Sequence, residues 1–203
     1  MAKNFVLGIN GSPHKKGKTA ELLENFLKHV KKAGGETEII HLIDKKINYC
    51  RGCYSIDAKA CKYPCIQKDD MQNIYSLLMK ADAIVFATPI YWFNMSGLMK
   101  TFMDRLCSMA ASGYRLEGKV GIFIADSKEN EGGRLNASLS MASAMNHLGL
   151  FIPPYGIMFY PGKEKISKNG KTIWVDWIAE DSEKIAKNLI PLCNFLKKSK
   201  FEW

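Results

Sequence analysis

Four almost uninterrupted apolar runs constrain the fold of this 203-residue chain more than any other feature. They span residues 5–10, 37–42, 83–88 and 119–126. Because apolar residues follow one another instead of alternating with polar ones, these runs predict parallel strands covered on both faces. We expect a fifth strand within residues 150–159, where Pro153 and Pro154 favour a bend or an edge position.

Helical periodicity fills the intervals between the predicted strands. One helix carries an apolar face at residues 22–30 and ends at Gly34 and Gly35, and another begins at Asp69 and Asp70. Three more helices are predicted over residues 96–109, 134–148 and 176–201, with a kink at Pro191 in the last. Residues 163–171 predict a turn or small hairpin. This alternation of strands and helices predicts one α/β domain over residues 1–203, with helices on both sides of a parallel sheet.

Composition excludes several classes of protein. No apolar run is long enough to span a membrane, and the first residues do not resemble a signal peptide, so we expect a cytoplasmic protein without a membrane partner. The net charge is +9, but the lysines are scattered. Scattered lysines favour solvated helix faces over a specific nucleic-acid site, although a basic surface can attract anionic partners.

The segment after the first strand predicts a phosphate site. Residues 10–19 read Asn-Gly-Ser-Pro-His-Lys-Lys-Gly-Lys-Thr and lead into a helix. Glycines at such a turn leave backbone N–H groups free, and the helix N-terminus adds the positive end of its dipole. The side chains of Ser12, Lys18 and Thr19 can donate to phosphate oxygens, and His14 is a further candidate.

Two other nucleotide sites fit this segment less well. Gly17, Lys18 and Thr19 suggest the P-loop of nucleotide triphosphatases, but Ser12 occupies the position where that motif requires glycine. The G-x-G-x-x-G fingerprint of dinucleotide-binding folds is absent. A purely structural turn is the remaining alternative.

Three consecutive aromatic residues follow the third predicted strand. After a predicted turn at Pro89 come Tyr91, Trp92 and Phe93, and Ser96 is positioned to cap the next helix. The carboxyl ends of strands in an open α/β sheet are where ligands bind, and a flat aromatic ligand would stack on such side chains. The alternative is an aromatic cluster in the core or at a dimer interface.

Four of the six cysteines lie within sixteen residues. These are Cys50, Cys53, Cys61 and Cys65. Without an export signal, such crowding indicates metal or redox chemistry rather than structural disulfides. An iron–sulfur cluster, a zinc site, and free or redox-switching thiols all remain open. Cys107 and Cys193 are expected in the core.

Together these motifs resemble the NADPH-dependent FMN reductase group of the flavodoxin-like flavoproteins. The matching segments are residues 11–19, residues 88–100 followed by Asp104 and Arg105, and the cysteine loop that ends in residues 65–71. The resemblance implies a flavodoxin-like three-layer α/β sandwich with a five-stranded parallel sheet in the order 2-1-3-4-5. It also implies one FMN-binding domain with a cysteine-rich loop at residues 48–68.

The resemblance implies that FMN binds at the carboxyl ends of the strands. The residues expected around its phosphate are Ser12, His14, Lys18, Thr19 and Ala20. Those expected along its ring are Pro89, Ile90, Tyr91, Trp92, Phe93 and Asn94. Those expected on the other side of the ring are Asp126, Ser127, Gly132 and Gly133.

The resemblance also implies an oxidoreductase that passes electrons from NAD(P)H through FMN to a small-molecule or protein acceptor. Such a transfer needs no catalytic acid or base. Relatives tend to build the site at a dimer interface, and we expect this chain to form a homodimer or tetramer. A non-catalytic carrier like flavodoxin is the alternative. Some relatives, the iron–sulfur flavoproteins, use a compact run of four cysteines. Here Ile56 occupies the third position of that run, and Cys61 is additional, so a [4Fe–4S] cluster would use Cys50, Cys53, Cys61 and Cys65.

Overall fold

The computed structural model describes residues 3–127, 133–159, 164–169, 171–175 and 177–199. The strands are β1 Phe5–Asn10, β2 Glu36–His41, β3 Ala83–Tyr91, β4 Asn94–Met95, β5 Val120–Asp126, β6 Ile157–Met158, β7 Glu164–Lys168 and β8 Lys171–Val175. The helices are α1 Lys18–Lys32, α2 Cys53–Ile56, α3 Met71–Lys80, α4 Gly97–Arg105, α5 Cys107–Ala110, α6 Gly133–His147 and α7 Trp177–Lys198. Short 3₁₀ helices cover Leu42–Asp44 and Ala58–Ala60.

The central sheet has the order β2-β1-β3-β5-β6, and neighbouring strands along this path are parallel. The five parallel strands therefore follow the predicted order 2-1-3-4-5. The labels differ because β4, a two-residue strand that pairs antiparallel with β3, was not predicted. The fifth parallel strand, β6, is short and lies at the edge, as the two prolines before it predicted. The hairpin predicted near residue 169 is formed by β7 and β8.

Both faces of the sheet are covered, because side chains alternate between them along each strand. Ile84 and Phe86 of β3 point into a core shared with α3, α4 and α6. Val85 and Ala87 point into a second core built with α1 and α7. This two-sided burial explains the continuous apolar runs in the sequence. No helix in the described part of the chain is both long enough and apolar enough to cross a membrane.

Two local predictions were wrong in detail. The strand predicted to end at residue 88 continues through Pro89 to Tyr91, because the chain turns only after pairing with β4. The helix predicted over residues 96–109 is interrupted at Leu106 and forms α4 and α5. The cap predicted for α3 at Asp69 and Asp70 is confirmed at Asp69, whose Oδ1 accepts the Met71 N–H at 3.2 Å.

Candidate functional site

The loop between β1 and α1 presents unpaired donors at the carboxyl end of β1. In the described part of the chain, the N–H groups of Lys18, Thr19 and Ala20 have no protein acceptor, as expected in the first turn of a helix. Ser12 and Thr19 are polar but buried beside them. A Cβ at residue 17 would lie 3.1 Å from the His14 Cβ and 3.2 Å from its carbonyl oxygen, so glycine keeps the loop compact. These donors suit a bound anion.

The charged side chains of this loop lie at its outer surface. Lys18 Nζ is 3.4 Å from Glu21 Oε1, and Lys15 Nζ is 3.0 Å from Asp44 Oδ2. His14 is exposed, and its backbone N–H donates to Ser12 Oγ at 3.1 Å. The backbone donors and hydroxyls are therefore the groups that the fold holds in place, while the cations surround them.

The aromatic residues form a tight turn between β3 and β4. Tyr91 pairs with Asn94, and the two residues between them, Trp92 and Phe93, have φ angles of 51° and 64°. Two-residue turns with positive φ normally use Asn or Gly, because larger side chains are strained there. Trp92 is nevertheless 93% exposed and Phe93 53% exposed. Strained, exposed aromatic residues are typical of a binding site rather than of a core cluster.

The third predicted loop lies against this turn. Asp126, at the end of β5, is the register partner of Pro89 in β3, and Ser127 follows it. Gly133 begins α6, and a Cβ there would come within 2.6 Å of Ile90 Cγ2 and 2.8 Å of Phe93 Cα. The sheet thus brings the second and third predicted loops together. Gly132 lies outside the described residues.

Ser96 and Thr88, which were not predicted as site residues, join the phosphate loop to the aromatic turn. Ser96 Oγ donates to the carbonyl oxygen of Gly11 at 2.6 Å and accepts the Met99 N–H at 3.1 Å. The Ser96 N–H donates to Thr88 Oγ1 at 3.0 Å. The predicted capping role of Ser96 is confirmed. Its bond to Gly11, 85 residues away, left no signal in the sequence.

A cleft of about 690 Å³ lies beside both loops. Its wall includes Pro13, Tyr91 and Ser96 from the loops, and Ile43, Lys45, Tyr49 and Lys100 from neighbouring segments. Asp104 also lines the cleft and lies 2.6 Å from Lys100 Nζ through its Oδ1. The apolar and aromatic surface therefore suits a flat ligand, and Lys45 contributes positive charge at the border.

Five cysteines line a second cavity of about 280 Å³. They are Cys50, Cys53, Cys61, Cys65 and Cys107. The fold therefore brings the four predicted thiols to one cavity and adds Cys107, which was wrongly expected in the core. Burial, together with the neighbouring Cys107 thiol, raises the pKa of the Cys61 thiol to about 12. Cys193 is buried on α7, as predicted.

A buried ion pair supports the cysteine cavity. Arg105, which lies on the cavity wall, donates from Nη1 and Nη2 to the two carboxylate oxygens of Asp69, and from Nη1 to the Asn48 carbonyl at 2.9 Å. Burial by itself would raise the pKa of Asp69, but hydrogen bonds from Arg105 and from two backbone N–H groups hold it below its usual value. The Nε of Arg105 has no hydrogen-bond partner in the described part of the chain.

The cysteine side chains that the structure describes are not arranged around one position for a metal ion. Among residues that the structure describes, no group of three or more His, Cys, Asp or Glu side chains is arranged to hold one metal ion. A mononuclear zinc site would need such convergence. A [4Fe–4S] cluster is held by four thiolates that each bind a different iron, so it needs thiols spread around one cavity. The described residues therefore place five thiols along one cavity, without a set arranged around a single metal ion.

Comparison with known proteins agrees with this geometry. The sequence model of the NADPH-dependent FMN reductase family matches residues 5–162. The chain belongs to this family. The match includes the phosphate loop, the aromatic turn and the cysteine cavity, and it ends before β7.

Several relatives of the chain are iron–sulfur flavoproteins. Two from Archaeoglobus fulgidus are 42% identical over 118 residues and 41% identical over 137 residues. These matches cover 57% and 67% of this chain, but only 51% and 65% of the relatives. The chain therefore spans between about half and two thirds of their length. A relative from Methanosarcina thermophila is 25% identical over 187 residues, which cover 89% of this chain and 92% of that protein.

Solved structures establish the fold as flavodoxin-like. RosB, solved with a bound 8-demethyl-8-formylriboflavin-5'-phosphate, matches with a TM-score of 0.73 at 17% identity, over 98% of this chain and 82% of that one. A WrbA-like flavodoxin from Agrobacterium tumefaciens matches with a TM-score of 0.57 at 17% identity, over 98% of this chain and all of that one. The predicted fold class is confirmed.

Proposed function

We propose that the chain is an FMN-dependent NAD(P)H oxidoreductase. The observation that carries the proposal is that a loop with unpaired backbone donors lies beside a strained, exposed aromatic turn. The loop suits the phosphate of FMN, and the aromatic turn suits its ring. Ser96 holds the two at a fixed separation through its bond to Gly11. Membership of a family of FMN reductases supports the same assignment.

The phosphate is held by groups that need no movement to bind it. The N–H groups of Lys18, Thr19 and Ala20 would donate to its oxygens, as would the hydroxyls of Ser12 and Thr19. The dipole of α1 favours the negative charge at this end of the helix. His14 and Lys18, which lie at the surface of the loop, contribute positive potential rather than fixed contacts.

The ring is held along the turn formed by residues 89–94. The side chains of Trp92 and Phe93 offer apolar surface, and backbone N–H groups of residues 91–94 can donate to the polar edge of the flavin. Asp126, Ser127 and Gly133 would border the other side. When bound, FMN accepts a hydride from a nicotinamide and passes the electrons on. The protein therefore needs to orient the two rings, and no side chain has to act as an acid or base.

The partners of this chemistry are NAD(P)H and an electron acceptor. The cleft beside Tyr91 suits a planar anion and opens next to the ring position. The exposed aromatic turn is apolar surface that a second copy of the chain can cover. A homodimer or tetramer therefore stays our prediction, as does a cytoplasmic location.

We further propose a [4Fe–4S] cluster in the cysteine cavity, with the predicted ligands Cys50, Cys53, Cys61 and Cys65. Buried Arg105 supports an anionic occupant there, because it lines the cavity and its positive charge interacts with the Cys65 thiol. Asp104 lines both this cavity and the cleft beside Tyr91, so the two sites adjoin. A cluster of this kind relays single electrons, and this position would let it exchange them between flavin and an external acceptor.

The oxidoreductase is tested by mixing the FMN-loaded protein with NADH or NADPH without oxygen. We expect one of the two nucleotides to bleach the visible absorption of the bound flavin. A protein that holds FMN but is bleached only by dithionite, and by neither nucleotide, would be a non-catalytic carrier like flavodoxin. That outcome would contradict the proposed activity and leave the flavin site intact.

A Gly133→Ala variant tests the contact between the third loop and the aromatic turn. Its added methyl group would meet the Phe93 backbone at 2.8 Å, so the turn has to shift. Crowding of this kind costs about 1–3 kcal/mol, and we expect FMN to bind roughly 5–150-fold more weakly. Gly97→Ala is the matched control, because a Cβ there has nothing within 4 Å. Equal FMN affinity in both variants, measured by fluorescence titration, would contradict the placement of the ring.

A further inference from the structure

The cysteine cavity contains one thiol more than a cluster needs. A [4Fe–4S] cluster is held by four thiolates, whereas five cysteines line this cavity. Four of them belong to the loop of residues 48–68. Cys107 comes from the start of α5, on the helical layer that packs against the sheet. One of the five is therefore redundant for a complete ligand set.

The position of Ile56 explains why a thiol from outside the compact cysteine run is needed. In that run the third cysteine would stand at residue 56, at the end of α2. Ile56 is 88% exposed, so the position faces solvent. With no thiol at that position, the ligands are drawn from the five cavity thiols, and Cys61 and Cys107 are the two that compete for one position.

These two candidates lie against each other. Cys61 Sγ donates a hydrogen bond to Cys107 Sγ at 3.9 Å, the one thiol–thiol hydrogen bond in the described part of the chain. Both cysteines are partly buried. Thiolates that bind different irons of one cluster extend from different corners and diverge from one another. Two sulfurs in mutual contact therefore face the same corner, and only one of them can bind there.

We infer that Cys61 and Cys107 form one shared ligand position, so that either thiol completes the ligand set with Cys50, Cys53 and Cys65. The inference rests on the cluster of the proposed function and adds Cys107 to it. Exchange between the two thiols involves no oxidation. The sulfur that binds iron releases its proton as the iron–sulfur bond forms, and the displaced thiolate takes up a proton as its own bond to iron breaks.

The test compares the full chain with Cys61→Ala, Cys107→Ala, the double variant and Cys50→Ala, each reconstituted anaerobically with iron and sulfide. Cys193→Ala is the matched control, because that buried thiol lies on α7, away from the cavity. We measure iron, sulfide and FMN per chain, and record the electron paramagnetic resonance spectrum of the reduced protein. FMN content shows in every case that the variant has folded.

We expect about four irons per chain in the unchanged protein, in both single variants at residues 61 and 107, and in the control. The double variant and Cys50→Ala should lose the cluster and retain FMN. The two single variants should differ in their resonance spectra, because a different thiolate binds the fourth iron. Loss of the cluster in either single variant, or a full cluster in the double variant, would overturn the inference. An unchanged protein without iron would overturn the cluster itself, while the flavin site would stand.

Discussion

We expect Arg105→Met to lower the free energy of unfolding by about 3–5 kcal/mol, the usual cost of removing one partner of a buried ion pair. The side chains of Arg105 and Asp69 are 0% and 4% exposed, so the remaining carboxylate would be left without a cation and almost without water. The guanidinium also holds the Asn48 carbonyl, so the loop of cysteines would lose an anchor. Urea unfolding measured by circular dichroism gives the difference.

The loss of stability in Arg105→Met should depend on pH, and the direction of that dependence follows from the Asp69 carboxylate. The pKa of Asp69 is lowered in the folded protein, so its stabilising contribution is present above the ordinary pKa of about 4 and is lost as the pH falls through the lowered value. The free energy of unfolding of Arg105→Met should therefore differ most from that of the parent at neutral pH, and less in acid.

The double variant Arg105→Met/Asp69→Asn is the control for this effect. It removes the stranded charge and leaves an acceptor for the backbone, so it should be more stable than Arg105→Met alone. A single variant within 1 kcal/mol of the parent would show that the pair does not support the loop.

The second large effect concerns the phosphate loop. We expect the double variant Ser12→Ala/Thr19→Ala to bind FMN roughly 10²- to 10⁴-fold more weakly, because each hydrogen bond to a charged group contributes about 1.5–3 kcal/mol. Riboflavin, which lacks the phosphate, should bind to the variant almost as well as to the parent. Titrations that follow flavin fluorescence measure both ligands.

Thr19→Ser keeps the hydroxyl and serves as the matched control, so its FMN affinity should stay close to that of the parent. Equal losses for FMN and riboflavin in the double variant would mean that the loop does not hold phosphate. Because Ser12 and Thr19 are both buried, circular dichroism should accompany each titration to compare the folds.

The fold was largely predictable because burial on two faces leaves a strong local signal. β1 matches its apolar run at both ends, and β5 differs from the predicted strand by one residue. Details set by tertiary contacts were not predictable. Leu106 interrupts the predicted helix 96–109, and β4 exists only because Asn94 and Met95 pair with β3. Neither the pairing of β4 with β3 nor the interruption at Leu106 leaves a periodic pattern in the sequence.

The loops of the candidate site could be recognised in the sequence where their residues are adjacent. The phosphate loop and the aromatic turn are continuous segments, and the sheet places them at one edge. Links between distant segments were not predictable. The bond from Ser96 to Gly11, the contact of Gly133 with Phe93, and the position of Cys107 beside Cys61 all depend on how elements pack. A helical cysteine with apolar neighbours looks the same in sequence whether it faces the core or a cavity.

The central claim is that the loop of residues 11–20 and the turn of residues 89–94 together bind FMN. Titration of the flavin-free protein with FMN, followed by flavin fluorescence, tests it most directly. We predict saturation at one FMN per chain with a dissociation constant of about 1 μM or lower, equivalent to about −8 kcal/mol, and weaker binding of riboflavin. A protein that shows no saturable binding of FMN, or that binds riboflavin equally well, would contradict the account.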